Sequence, residues 1–213
     1  MSVKTFVVNN FQENTYIYFD SESREAVLID PGAYYENEFE YIKSFIDSNN
    51  LIVKYILLTH GHIDHILSVN YFRNLYNIES YMHSGDTKLI DNILEYSEMF
   101  GFTLDSKPVI DNQITKDTKI KIGNSELRFL HTPGHSHGGV CIIDDKNKIV
   151  FTGDLIFRDS IGRTDLPGGD FDTIIKSIKD ILFSECDDSY ILYPGHLSDT
   201  TVYQEKHSNR FLI

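Results

Sequence analysis

The segment Thr59-His60-Gly61-His62-Ile63-Asp64-His65 brings three imidazoles and a carboxylate within six residues. Neutral imidazole and carboxylate are ligands for divalent metals; they suit zinc, and also iron or manganese. His60 and His62 stand two apart. In an extended or turning backbone alternate residues face the same way, so both can reach one ion. The spacing differs from the helical HExxH pair, which needs its histidines at i and i+4. Asp64 and His65 lie further along the turn and can point to a second ion. Three later fragments have the same character: Thr132-Pro133-Gly134-His135, Thr152-Gly153-Asp154 and Tyr193-Pro194-Gly195-His196. Taken singly, each of these reads as a turn. With the first cluster they supply five histidines and two aspartates, enough for two ions side by side. A glycine precedes each downstream ligand, which lets the backbone turn tightly and approach a crowded centre.

These residues need a frame that ends its strands in one place. The apolar run Tyr55-Ile56-Leu57-Leu58, just before the first cluster, predicts a short buried strand. Further strands are predicted over Thr5–Val8, Thr15–Phe19, Ala26–Ile29, Ile78–Met82, Lys119–Ile122, Leu127–His131, Val140–Ile143, Ile149–Thr152 and Tyr190–Tyr193, bounded by turn residues. Helical spacing of Phe39, Ile42, Phe45 and Ile46 predicts a helix over Asn37–Ser48. A second helix follows the cluster, with Ile66, Val69, Phe72 and Leu75 on one face. A third runs over Phe171–Phe183, with Ile174, Ile178 and Ile181 inward and Asp170 as N-cap. A short helix or turn closes Thr200–Asn209. Residues 84–117 are less regular, with a helix over Leu89–Tyr96; they form either a flap over a site or a surface excursion. Both halves therefore run strands, helix, strand, and each ligand fragment follows a strand, where α/β folds carry their chemistry.

The 213 residues fit one domain with a sizeable core, at 41% hydrophobic content. The formal charge of −13 repels phosphate backbones, which excludes nucleic acid as a partner. Cys141 and Cys186 form no metal or redox motif and read as buried thiols in a reducing compartment. No signal peptide is visible and no apolar stretch reaches the roughly 20 residues of a membrane span. A cytoplasmic protein with no membrane partner is expected. No feature of the chain sets an oligomeric state.

The chain resembles the metallo-β-lactamase-fold superfamily over essentially its whole length: HxHxDH, TPGH, TGD and PGH occur in that family's order. The resemblance implies a single domain over 1–213, a four-layer αββα sandwich with a dinuclear site along one edge of the sheets. It implies that His60, His62 and His135 hold one ion and Asp64, His65 and His196 the other, with Asp154 bridging. Asp64 would also orient the nucleophile, a hydroxide formed from a shared water of lowered pKa. The family's true β-lactamases often carry Cys where this chain has Asp154, and often lack a histidine at the position of His65. Both differences turn the expectation away from antibiotics. The tract Thr152–Asp165 and the ending Thr200–Phe211 are similar to short bacterial hydrolases of the glyoxalase II type, which implies cleavage of a small-molecule hydroxyacyl-thioester. Full-length glyoxalase II has a helical C-terminal extension that supplies basic residues for glutathione; this chain stops short of one, which puts the thiol carrier in question. Leu197 stands where the short relatives usually have glycine.

Other readings of the same residues remain open. The GRTD tract also resembles persulfide dioxygenases, in which His60, His135 and Asp154 would hold a single iron. A lactonase or phosphodiesterase would use the same ions, and a non-catalytic binding module would use none. Arg163 either meets a substrate carboxylate or pairs with Asp165 to pin its loop; the ion pair is favoured. His83, His131, His137 and His207 fall outside the pattern and are expected on the surface or in hydrogen bonds.

Overall fold

Ala26-Val27-Leu28-Ile29 carries no polar residue, and all four side chains are fully buried. A strand apolar on both faces must be covered on both faces, and this sets the layering. The computed structural model describes residues 1–213. One sheet has the order β1 (Ser2–Val8), β2 (Glu13–Phe19), β3 (Glu25–Ile29), β4 (Ile52–Leu57), β5 (Glu79–His83), β6 (Asn112–Ile114). The other contains β7 (Lys119–Ile122), β8 (Ser125–His131), β9 (Val140–Asp144), β10 (Ile149–Gly153), β13 (Ile191–Pro194) and β14 (Thr200–Thr201), in the order β14-β13-β10-β9-β8-β7. β11 (Ile156–Phe157) and β12 (Ser160–Ile161) form a separate two-stranded hairpin. In the first sheet β3 to β6 are parallel, with β1 and β2 antiparallel at the edge. In the second, β10 and β13 are parallel and the remaining pairings antiparallel.

Strand alternation divides the interior into three cores. Val27, Ile29, Leu57, Ile142 and Phe151 face inward between the sheets. Their neighbours Ala26, Leu28 and Ile56 face α1 (Glu36–Ser48), α2 (Val69–Tyr76) and the pair α3 (Thr87–Asp91) and α4 (Ile93–Met99), through Ile42, Phe72, Ile90 and Ile93. On the far side Cys141, Ile143 and Val150 pack on Ile174, Ile178 and Leu182 of the helical stretch that begins with α5 (Phe171–Lys176), and on Val202. The stretch ends in α6 (Phe183–Glu185), and α7 (Val202–Ser208) closes the chain. The result is the four-layer αββα sandwich expected. No helix is long and apolar enough to cross a membrane.

Three local expectations change. Ile66, Val69 and Phe72 are buried, but Leu75 is exposed, because at helical pitch the inward face continues from Phe72 to Tyr76, which packs on the core, and Leu75 turns outward. The helix over Leu89–Tyr96 is two short helices meeting at Asn92. The stretch after Lys176 passes through a π-helical turn, Ser177–Leu182. More residues per turn rotate the inward face forward, so Leu182 is fully buried and Ile181 only half-buried. Asp170 caps α5 as expected, its carboxylate accepting from Thr173 N at 2.8 Å. Leu182→Ala should therefore destabilise the fold by about 2–5 kcal/mol and Ile181→Ala by much less, measured by urea unfolding; equal losses would mean that the π turn does not set the buried face.

Candidate metal centre

β3, β4 and β5 run parallel, as do β8, β10 and β13 through their common neighbours. Their C-terminal ends open on one edge of the sandwich, and the candidate residues leave from those ends. The two sheets are stitched together there: Asn14 N donates to Gly195 O at 2.7 Å, Val140 N to Thr59 O at 2.8 Å, and Tyr16 OH to Pro194 O at 2.6 Å. After β4 the chain continues extended through His62 and then tightens into a 3₁₀ turn over Ile63–His65. Extended backbone puts His60 and His62 on one side, and the turn swings Asp64 and His65 to the other. His60, His62 and His135 bring one nitrogen each within 4.8 Å of one another. Asp64, His65 and His196 do the same with one donor atom each. Asp154 lies between the groups: its Oδ2 is 3.5 Å from both His135 Nε2 and His196 Nε2, and its Oδ1 is 3.4 Å from His65 Nε2. All seven candidate ligands thus converge.

The outer nitrogens are held by other groups, which aims the inner ones at the centre. His135 Nδ1 lies 2.8 Å from the Arg163 carbonyl, and His196 Nδ1 lies 3.1 Å from that of Phe11. His65 Nδ1 lies 3.1 Å from Asp30 Oδ2. Thr59 donates to Asp30 through both its backbone N, at 2.7 Å, and its hydroxyl. Asn9 Nδ2 donates to Asp64 O at 2.9 Å and fixes the 3₁₀ turn. The fully buried Asp86 joins the two histidine loops: Oδ2 accepts from Gly61 N at 2.9 Å and Ser136 Oγ at 2.8 Å, and Oδ1 from Gly138 N at 2.6 Å. Gly195 shows why small residues precede the ligands. A Cβ there would overlap Asp154 Oδ1 and the His65 ring. Gly153, at φ 49°, has left-handed backbone, and a Cβ there would overlap Thr59.

Five buried side-chain polar atoms lack a hydrogen-bond partner, and three of them, His60 Nε2, His65 Nε2 and Asp154 Oδ1, lie in this cluster. Buried polar atoms are rarely left unpaired, so the donor set fits a cation between them. Electrostatics agrees. Burial, then His65 and His62, hold His60 well below the usual imidazole range, and burial with His135 pushes His62 down to about 4. Both are neutral and free to ligate. Burial disfavours a charged His65, yet Asp64 and Asp154 outweigh it and raise its pKa. Burial likewise works against the Asp154 carboxylate, but the surrounding imidazoles hold it well below the carboxylate range.

The donors floor a cleft of about 380 Å³. Leu89, Ile93 and Tyr96 from α3 and α4 form one wall, so of the irregular stretch 84–117 the part from Leu89 to Phe100 borders the site, while Asn112–Ile114 joins the first sheet as β6. Arg163 reaches the cleft, but its guanidinium pairs with Asp165 through two hydrogen bonds of 2.8 Å, the local ion pair. His83 and His131 stack at 4.1 Å away from the donors, while His137 and His207 are exposed. Sequence reading missed Glu13, Asp30 and Asp86. Asp30 and Asp86 follow strands as Asp154 does, in Ile29-Asp30-Pro31-Gly32 and Ser84-Gly85-Asp86, so a carboxylate at a strand-ending turn was the available signal. Glu13, at the start of β2, carries no such mark.

A four-layer sandwich with histidine and aspartate donors converging on one sheet edge defines a class of metal-dependent hydrolases. The chain belongs to the metallo-beta-lactamase superfamily, whose family model matches residues 8–196. It is 35% identical to the hydroxyacylglutathione hydrolase GloC of Haemophilus influenzae, over 100% of this chain and 98% of that one. It is 34% identical to the probable metallo-hydrolase YqgX of Bacillus subtilis, with the same coverage. Among solved structures, BLEG-1 B3 metallo-beta-lactamase superposes with a TM-score of 0.88 at 32% identity, covering 99% of each chain. The di-iron-bound form of TTHA1623 superposes at 0.86 and 32%, covering 98% of this chain and 100% of that one. The chain is a metallo-hydrolase of this superfamily, and its donor cluster is a divalent-metal site.

Asp86→Ala would strand three donors and separate the histidine loops. It should lower stability by about 3 kcal/mol or more and divalent-metal affinity roughly 10–100-fold, read by thermal melts with and without metal and by chelator competition. Full metal affinity in a folded Asp86→Ala protein would show that the loops need no such tie.

Proposed function

We propose that the protein is a dinuclear metal-dependent thioesterase of the glyoxalase II type, acting on small acyl-thioesters. The observation that carries this reading is the convergence of seven donors in two groups about Asp154, with His60 Nε2, His65 Nε2 and Asp154 Oδ1 buried and unpartnered and the outer nitrogens of His65 and His135 anchored. His60, His62 and His135 would hold one ion, Asp64, His65 and His196 the other, with Asp154 between them; the ions are zinc or iron, and manganese fits the same donors. The 35% identity to a hydroxyacylglutathione hydrolase and the di-iron-bound relative support both the reaction and the pair of ions. Once bound, two such ions lower the pKa of a water and polarise a carbonyl.

The chain's own groups do the remainder. Asp64 lines the cleft floor, with Oδ2 3.2 Å from His196 Nε2, and would orient the attacking water by accepting a hydrogen bond from it. Apolar walls exclude bulk water and strengthen every polar contact at the floor. A protein nucleophile is unnecessary and none is placed for the task. Both cysteines are buried, and burial pushes each thiol up to about 12. Ser136 is committed to Asp86. The substrate thus loses its acyl group to water, and the thiol leaves through the cleft mouth.

Metal-replete protein should release thiol from thioester substrates, stripping the metal should abolish release, and readdition should restore it. His60→Ala should lower kcat/KM by at least about 100-fold, measured by thiol titration alongside metal content. A chromogenic β-lactam in the same preparation provides the counter-test. Hydrolysis of the β-lactam with no thiol release would replace the thioesterase reading by one nearer the B3 relative.

A further inference from the structure

We propose that the cleft selects thioesters that join an apolar acyl chain to an uncharged thiol carrier, and that Leu197 is a specificity-determining residue of its wall. The proposal rests on the thioesterase reading and names its substrate class.

The walls above the donors are built from Phe11, Ile93, Phe100, Phe157, Leu166 and Leu197. Phe100 is 40% exposed and packs edge-on to Phe11 with ring centroids 5.9 Å apart, so the apolar surface continues out to the mouth. Exposed apolar surface gathered around a functional floor marks a binding surface rather than chance. Charge points the same way. Arg163 is the one permanent cation among the lining residues, and Asp165 already occupies it through both carboxylate oxygens. Glutathione carries two carboxylates and one ammonium. Its carboxylates would meet no free cation in the cleft, and the chain they approach has a formal charge of −13.

Leu197 adds an independent observation. It follows His196 directly and has φ +67°, a left-handed conformation that costs an L-residue with a Cβ and that glycine adopts freely. Asn14 Nδ2 holds this backbone by donating to Leu197 O at 2.8 Å. The side chain is 63% exposed, so the fold gains no core packing in return. What the side chain does is extend the apolar wall beside the donors. Strain kept where a bulky group meets the cleft is the pattern of a functional position.

Uncleavable S-alkyl thioethers separate binding from turnover. Two series, butyl to octyl, are built on N-acetylcysteamine and on glutathione and titrated calorimetrically into metal-replete protein. The expected result is a Kd that falls about two- to fourfold per methylene, with the neutral carrier binding at least as tightly as glutathione at every length. Leu197→Gly should flatten the chain-length dependence while leaving Tm unchanged or raised, and Phe100→Ser should flatten it as well. Tenfold tighter binding of the glutathione series, or no dependence on chain length, would overturn the selectivity. A Leu197→Gly protein that melts lower and keeps the wild-type slope would reduce Leu197 to a structural residue. The matching thioesters, assayed for thiol release, keep the two readings apart. A chain-length slope without turnover removes the hydrolase and leaves the apolar cleft; turnover without a slope removes the cleft proposal and leaves the hydrolase.

Discussion

Carboxylates and imidazoles buried at the seam between two sheets set the terms for the rest of this molecule. Glu13, Asp30 and Asp64 are buried, Asp154 is half-buried with its Oδ1 enclosed, and His65, among them, is fully enclosed. Removing such groups from water costs several kcal/mol each unless opposite charge and hydrogen bonds replace the solvent. The fold supplies both. Asp30 and Asp154 lie on opposite nitrogens of His65, at 3.1 and 3.4 Å, and Thr59 donates twice to Asp30. The parallel strands exist in this register because their ends must deliver these residues to one place. The glycines before the ligands leave no room for a Cβ: at Gly195 it would enter the space of Asp154 and His65, at Gly134 it would meet the Ile174 backbone and at Gly153 the Thr59 side chain. A cluster of this kind is a liability in a fold with no use for it, since apolar residues of equal volume would serve stability as well or better.

Layering and chemistry were legible in the chain to different depths. The strands were readable because burial on both faces leaves unbroken apolar runs, as in Ala26–Ile29 and Val140–Ile143. The seven donors were readable because residue type and position after a strand coincide. Asp30 and Asp86 were hidden although they share that position, since a lone aspartate at a turn is also the ordinary way to end a strand. Their roles depend on partners far away in sequence: Asp86 acts through Gly61, Ser136 and Gly138. Glu13 is decided entirely by tertiary burial. The exchange of Ile181 for Leu182 at the core has another cause, since a π turn adds a residue to the helical period that no 3.6-residue pattern reveals. The exposure of Leu75 reflects the helical pitch, which carries the inward face from Phe72 to Tyr76 and past Leu75.

Labour is divided between the floor and the walls of the cleft. The floor hangs from strand ends locked across the seam by backbone hydrogen bonds, so the donors keep their spacing without a ligand's help. The flap is built differently. α3 and α4 are short and meet at Asn92, and only part of each helix reaches the core: Ile90 and Ile93 are buried while Leu94 and Met99 are exposed. Short helices draw their stability from packing rather than from their own hydrogen bonds, so this wall is the part of the site whose shape the occupant can influence.

That division bears on how one superfamily serves many electrophiles. A metal floor polarises any carbonyl or phosphoryl oxygen that reaches it, and on its own it does not choose among thioesters, lactones and lactams. Choice must come from the groups the substrate meets on its way down. In this chain those groups are apolar, the available cation is already paired, and the residue beside His196 holds a side chain into the mouth at a conformational cost glycine would avoid. Arg163 illustrates how one cleft residue can support the floor through both its backbone and its side chain. Its carbonyl fixes His135 while its guanidinium ties down the loop through Asp165.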